Sequence, residues 1–286
     1  VKLVTYKSAY GPRVAVPRDG GYVDLNWADP SLPACMKQLL SLGKTGLDRA
    51  AKAVASALPL PDTNPVLLAP IPRPEKVICI GLNYIDHAKE TGKEPPPEPV
   101  VFNKFPQSII APLEPIVLPK LSDKVDYEAE LVVVIGVGGK HISEANALNH
   151  VAGYACGHDV SARDWQQGKP AGQWLLGKSF DTFAPFGPMI VTSDEVGDPG
   201  NLRVQFRLNG QTLQDGNTDK LIFSVPTLIA YLSSVVALSP GDVIFTGTPP
   251  GVGCARKPPI YLKPGDVAEV EIEKLGILKN PVVAEA

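Results

Sequence analysis

Residues 126–136 read DYEAELVVVIG, and apolar and acidic positions alternate there before the run turns apolar throughout. In an extended strand, side chains two apart share a face. Glu128 and Glu130 therefore point one way with Val132 and Val134, while Ala129, Leu131, Val133 and Ile135 point the other. A strand apolar on both faces is usually buried on both. Similar β-type patterns recur at 2–6, 13–17, 21–25, 76–84, 188–192, 202–210, 242–247 and 266–276, punctuated by Gly, Pro and Asp turns. Helical periodicity predicts a helix over 32–42. A second is expected from Thr45, whose T-x-x-D with Asp48 reads as a capping box, with Leu47, Ala50, Val54 and Leu58 on one face. A third is expected over 225–238. Strands dominate, and no strand–helix–strand alternation is visible, which argues against a doubly wound sheet. The fold expected is a β-rich α+β protein.

Six prolines between positions 59 and 74 cannot sustain a helix or a central strand. They divide the chain into a small N-terminal α+β domain (1–58), a Pro-rich linker (59–74) and a larger domain (75–286). The 286 residues carry a net charge of −3 without a basic tract, which excludes an electrostatic nucleic-acid or anionic-membrane binder. No apolar run reaches the ~18 residues of a membrane span. The four cysteines are widely spaced without a CxxC, so free thiols in a reducing compartment, cytoplasmic or mitochondrial rather than secretory, are expected.

Two carboxylates on a buried strand cannot both stay ionised without a compensating charge. Either they reach solvent or a lysine at the strand end, or they hold a divalent cation. A third carboxylate, Asp159, ends the small-residue strand in AGYACGHDVSARDWQ, just before a short helix that an S-x-x-D box (Ser161, Asp164) would open. Two Glu and one Asp form an all-oxygen ligand set suited to Mg²⁺ or Mn²⁺, less to Ca²⁺, and not to zinc. Lys178 could offset the remaining negative charge and bind an anionic substrate. Residues 172–179, GQWLLGKS, also satisfy the phosphate-loop pattern. That reading is rejected, because no strand precedes the motif and Pro185 and Pro188 follow it where a helix is required. His87 and Glu90, spaced i, i+3, face each other on one helical turn. They are either a solvated surface pair or an imidazole oriented to act as a general base. His158 reads as structural, and Asp126 as either a supporting partner or a solvated residue.

Taken in order, DYEAELVVVIG, GHDVSARDWQ, GKSFDTFAPFGP and GDVIFTGTPPGVG resemble the catalytic region of the fumarylacetoacetate hydrolase family over residues 74–283. The domain-containing members of that family are the nearest likeness. The resemblance implies a mixed β-sandwich roll and a homodimer. It implies Glu128, Glu130 and Asp159 as ligands of Mg²⁺ (or Mn²⁺ or Ca²⁺), and His87 and Glu90 as a dyad in an N-Y-x-x-H-x-x-E lid element. It further implies Lys178 facing the substrate, with Gln166 and Thr248 close to it, and Lys104 is placed there as well. A 2-oxo acid chelating the cation through its carboxylate and keto oxygen would have its enolate stabilised. Hydrolysis of a carbon–carbon bond in an acylpyruvate-type substrate is the first reading. Oxaloacetate tautomerase or decarboxylase is the alternative, followed by isomerase, hydratase or lyase action on a related oxo acid. A non-enzymatic scaffold would show no metal dependence, and a nucleotide-binding protein would not need Glu128 or Glu130.

Overall fold

The computed structural model describes residues 1–286. The strand-rich α+β class expected from the pattern is observed. An eleven-stranded mixed sheet forms the centre, faced by a five-stranded sheet, with a two-stranded pair beside them. The strand Ala129–Ile135, here the Glu strand, lies in the middle of the large sheet. It pairs antiparallel with Val151–His158, the Asp strand, on one side and with Val243–Phe245 on the other. Val243–Phe245 in turn runs parallel to Val77–Gly81.

Both rows of the Glu strand are buried, and they enter different cores. Leu131, Val133 and Ile135 pack with Val204, Phe206 and Val270 between the two sheets. Val132 and Val134 pack on the opposite side with Phe245, Met36, Leu39, Leu40 and Ala50. The last four come from helices Met36–Ser41 and Gly43–Ser56, which cover the outer face of the large sheet. Residues 1–58 therefore share sheet and core with the rest. Lys2 and Leu3 pair with Val191 and Ile190, so strand Lys2–Ser8 extends the large sheet. The proline-rich stretch 59–74 lies against it, with Leu67 and Leu68 paired to Tyr6 and Thr5. A central strand apolar on both faces needs cover on both, and the N-terminal segment supplies the second cover.

Two capping expectations fail. The second helix starts at Gly43 rather than after Thr45, and Lys44 takes Asp48 as an i, i+4 ion pair. Leu58 falls beyond its end and is exposed. Ser161 lies in a short strand paired with Asp126, and its hydroxyl donates to the Asp159 carbonyl, so the helix Arg163–Gln166 begins without a side-chain cap. At Ser161 a long-range sheet pairing displaces the local cap, while at Asp48 a competing ion pair on the same helix takes the carboxylate. The third helix runs Val225–Val235, with Ser224 accepting from the Thr227 amide at its start.

Gly157 sits opposite Glu130 in the ladder. A Cβ there would collide with Val132 and Phe245. Gly157→Ala is expected to lower stability by about 1–3 kcal/mol through overpacking, read as a lower urea midpoint; an unchanged midpoint would show that the sheet has room.

Candidate active site

The Glu strand begins, and the Asp strand and Val243–Phe245 end, at one edge of the sheet, and the site lies there. Glu128 precedes the first residue of the Glu strand and Asp159 follows the last residue of the Asp strand. The Asp159 amide donates to the Glu128 carbonyl at 2.9 Å, which ties the two chain segments together. Glu128, Glu130 and Asp159 each offer an oxygen within 4.8 Å of the others, and all three are buried. The shared face expected of Glu128 and Glu130 is what allows this.

Three cations meet the cluster. Lys178 donates to Glu128 Oε2 at 2.8 Å and to Asp159 Oδ2 at 2.5 Å. Lys104 donates to Asp159 Oδ1 at 2.6 Å and to the Val160 carbonyl at 3.0 Å. Arg163 donates to Glu128 Oε1 at 2.7 Å, to Asp126 Oδ2 at 2.8 Å and to Gln166 Oε1 at 2.9 Å. Asp126 also accepts the amides of Tyr127, Gly253 and Cys254, so it is a fully bonded anchor for the 253–254 turn and not a solvated residue.

These contacts set the protonation states. Burial alone would raise the Glu128 carboxyl, but Lys178 and Arg163 outweigh it and hold it well below the usual carboxylate range. Burial works against the Lys178 charge, yet Asp159 and Glu128 keep its ammonium above its ordinary value. Glu130 goes the other way. Burial and the neighbouring Asp159 and Glu128 charges push its carboxyl well up. Its side chain is met by the Gly247 amide at 2.9 Å and by no cation. His158, as expected, is structural. Burial first, then Lys104, pushes it down to about 3, and its ring packs 5.2 Å from that of Phe206.

The all-oxygen donor set fits a hard divalent cation. The buried Glu130 carboxyl without a cationic partner is the structural sign of it. Each oxygen of Glu128 and Asp159 also keeps acceptor capacity beyond its one cation contact.

His87 and Glu90 lie on the helix Ile85–Glu90. His87 is nearly buried and its Nδ1 is 3.2 Å from Glu90 Oε2. Glu90 Oε1 accepts the Gly251 amide at 2.9 Å, fastening the helix to the loop after Thr248. Asn83 holds the preceding turn by bonding the Phe223 and Thr246 carbonyls and the Phe223 amide. The cavity beside the carboxylates has about 50 Å³ of free volume, and its walls include His87, Glu128, Glu130, Arg163, Gln166, Lys178 and Thr248. Larger hollows of about 620 and 600 Å³ lie beside strand Val100–Lys104 and under the second helix, away from the carboxylate cluster.

One placement differs from expectation. The Lys104 ammonium is wholly buried behind Asp159 and does not line the cavity. Thr248 lines the cavity, and its hydroxyl is engaged, donating to the Ala129 carbonyl at 2.9 Å and accepting from Gln214 at 2.8 Å. Arg163 was not singled out from the sequence. The signal for it was a charge count: four carboxylates near one another need more than Lys178. The phosphate-loop look-alike is disposed of, since Lys178 ends a short helix, Trp174–Lys178, and points at carboxylates.

The family model described as fumarylacetoacetate (FAA) hydrolase C-terminal matches residues 76–283. Human oxaloacetate tautomerase FAHD2A, mitochondrial, is 49% identical across 99% of this chain and 92% of its own length. A putative HpcE protein from Mycobacterium smegmatis superimposes with a TM-score of 0.90 at 40% identity, covering 100% of both chains. Maleylpyruvate hydrolase from Sphingobium sp. SYK-6, in complex with manganese(II) ion and pyruvate, superimposes with a TM-score of 0.82 at 29% identity, again over 100% of both. The fold and the carboxylate cluster thus define an enzyme class with a divalent-metal centre. The chain belongs to the fumarylacetoacetate hydrolase family.

The raised Glu130 carboxyl has a signed consequence for stability. A carboxyl whose folded value exceeds its unfolded one stabilises at low pH, and that contribution is lost as pH rises through the folded value. In EDTA, wild-type stability should therefore fall with pH above the ordinary glutamate range, and Glu130→Gln should remove that part of the fall. Added Mg²⁺ should raise the wild-type urea midpoint and leave that of Glu130→Gln unmoved. Equal pH slopes and equal Mg²⁺ responses in the two proteins would contradict the assignment.

Proposed function

We propose that this protein is a divalent-metal-dependent tautomerase of oxaloacetate. The observation that carries the reading is the buried His87, paired with the solvent-exposed Glu90, facing a three-carboxylate cluster across a narrow cavity. Similarity to FAHD2A, an oxaloacetate tautomerase, over nearly the whole chain supports it. The relatives thus favour the alternative over carbon–carbon hydrolysis, the first reading from the motifs.

Glu128, Glu130 and Asp159 would hold the cation, which when bound supplies Lewis acidity to a 2-oxo acid. Lys178, kept charged by Asp159 and Glu128, places a fixed positive charge where the keto oxygen becomes negative in the enolate. Because Lys178 stays protonated, it serves as an electrostatic partner and not as a base. Glu90 engages His87 Nδ1, which leaves Nε2 as the atom that exchanges a proton with the substrate. In the enol-to-keto direction Nε2 takes the enol hydroxyl proton and delivers it to the adjacent carbon; in the reverse direction it removes the carbon proton and returns it to the oxygen. Tautomerisation needs no attacking water, and a narrow cavity suits it. Gln166 is oriented by Arg163 through its carbonyl oxygen, which leaves its NH₂ free to donate to a substrate oxygen. At Thr248 the hydroxyl is spent, so the contact offered is its backbone amide.

Hydrolysis of an acylpyruvate remains the second reading. It is favoured by the same dyad, which could activate a water, and by the maleylpyruvate hydrolase likeness. Enol-oxaloacetate loss followed by ultraviolet absorbance, beside acetylpyruvate cleavage, separates the two. Expected is rapid Mg²⁺-dependent enol loss without pyruvate release, abolished by EDTA and reduced about 10²-fold or more in His87→Ala. Mg²⁺-dependent pyruvate release from acetylpyruvate, with slow enol loss, would overturn the tautomerase in favour of the hydrolase.

A further inference from the structure

The cations lining the cavity are not equivalent. Arg163 and Lys178 are committed to Asp126, Glu128 and Asp159. Lys93 also lines the cavity and makes no ion pair within the chain. Its position is built into the backbone. Helix Ile85–Glu90 ends on Thr91, and Gly92 follows at φ 67, the left-handed conformation that favours glycine. The Gly92 amide donates to the Lys89 carbonyl at 3.1 Å and the Lys93 amide to the Ala88 carbonyl at 2.9 Å. These two bonds are the paired closure of a Schellman motif. They set Lys93, an exposed residue six positions beyond His87, against the cavity wall. After it come Glu94 and three prolines, a stiff extended segment. The far end of that segment is anchored by Tyr231, whose hydroxyl donates to Glu98 at 3.1 Å.

We propose that Lys93 is a specificity-determining residue that binds the second carboxylate of a 2-oxo dicarboxylic acid. The inference rests on the 2-oxo acid reading of the site and narrows it to dianions. The charge balance supports it. Asp126, Glu128, Glu130 and Asp159 carry −4, and Lys104, Arg163 and Lys178 carry +3. A dication brings the inner site to +1, which matches a monocarboxylate such as pyruvate. Lys93 adds one further positive charge to the cavity wall, available to a second carboxylate. The end of the substrate that the inner residues do not hold then meets the one uncommitted cation.

The test is calorimetric titration of the Mn²⁺-loaded protein with oxaloacetate and with pyruvate, in wild type, Lys93→Ala and Lys93→Arg. Lys93→Ala should weaken oxaloacetate about fivefold, the scale of one partly exposed charge pair, and pyruvate less than twofold. Lys93→Arg should recover most of the loss, and the oxaloacetate difference should shrink with added salt. Equal weakening of both ligands, or no change in either, would overturn the proposal. Because the readout is a ratio of affinities, it stands apart from turnover. A wild type that binds oxaloacetate through Lys93 without converting its enol would count against the tautomerase and for Lys93. Normal enol conversion with an unaltered affinity ratio would count against Lys93 alone.

Discussion

Four carboxylates are buried around one edge of the central sheet, and only three cations meet them. Asp126, Glu128 and Asp159 are each bonded to a cation, while Glu130 has a backbone amide alone. Burying an unpaired charge costs several kcal/mol, so such a group keeps its proton until a positive partner arrives. The site is thus assembled around a charge deficit. Lys104, sealed behind Asp159, and Arg163, spanning Asp126, Glu128 and Gln166, hold the ligand carboxylates in place. Their loss would leave buried carboxylates uncompensated, a larger penalty than the worth of any single contact.

The surrounding architecture serves that cluster. The Glu strand is central and apolar on both faces, so its register cannot slip without moving a whole row of side chains from one core to the other. That register puts Glu128 and Glu130 on one face, and the antiparallel partner brings Asp159 beside them. The N-terminal helices and strands close the second core behind Val132 and Val134. The helix bearing His87 and Glu90 is fastened at both ends, by Asn83 before it and by the Glu90–Gly251 bond after it. The imidazole is therefore held by structure, not only by its carboxylate partner.

Much of this was legible in the chain because it depends on short periods. The two-residue period of a strand predicts the shared face of Glu128 and Glu130, and the turn of a helix predicts the meeting of His87 and Glu90. Rejecting the phosphate loop rested on local context too, and Lys178 does point at carboxylates. What was not legible depends on long-range pairing. Strand Lys2–Ser8 joins a strand nearly 190 residues away, so the continuity of residues 1–58 with the main sheet had no local signature. Ser161 carries the motif of a helix cap, but sheet pairing with Asp126 takes its place; only at Thr45 is the competitor local, the Lys44–Asp48 ion pair. Lys104 and Arg163 are ordinary in sequence, and only the count of buried carboxylates asks for them. The engagement of the Thr248 hydroxyl likewise has no local signature, because Gln214, its partner, lies on the facing sheet.

The most direct measurement is anomalous diffraction from crystals of this protein grown with Mn²⁺. One strong anomalous peak is expected within bonding distance of Glu128, Glu130 and Asp159, with Lys104 still on Asp159 and Arg163 still on Glu128. A cluster without a peak, its carboxylates bridged only by lysines at saturating Mn²⁺, would contradict the claim that the charge deficit at Glu130 exists to hold a divalent cation.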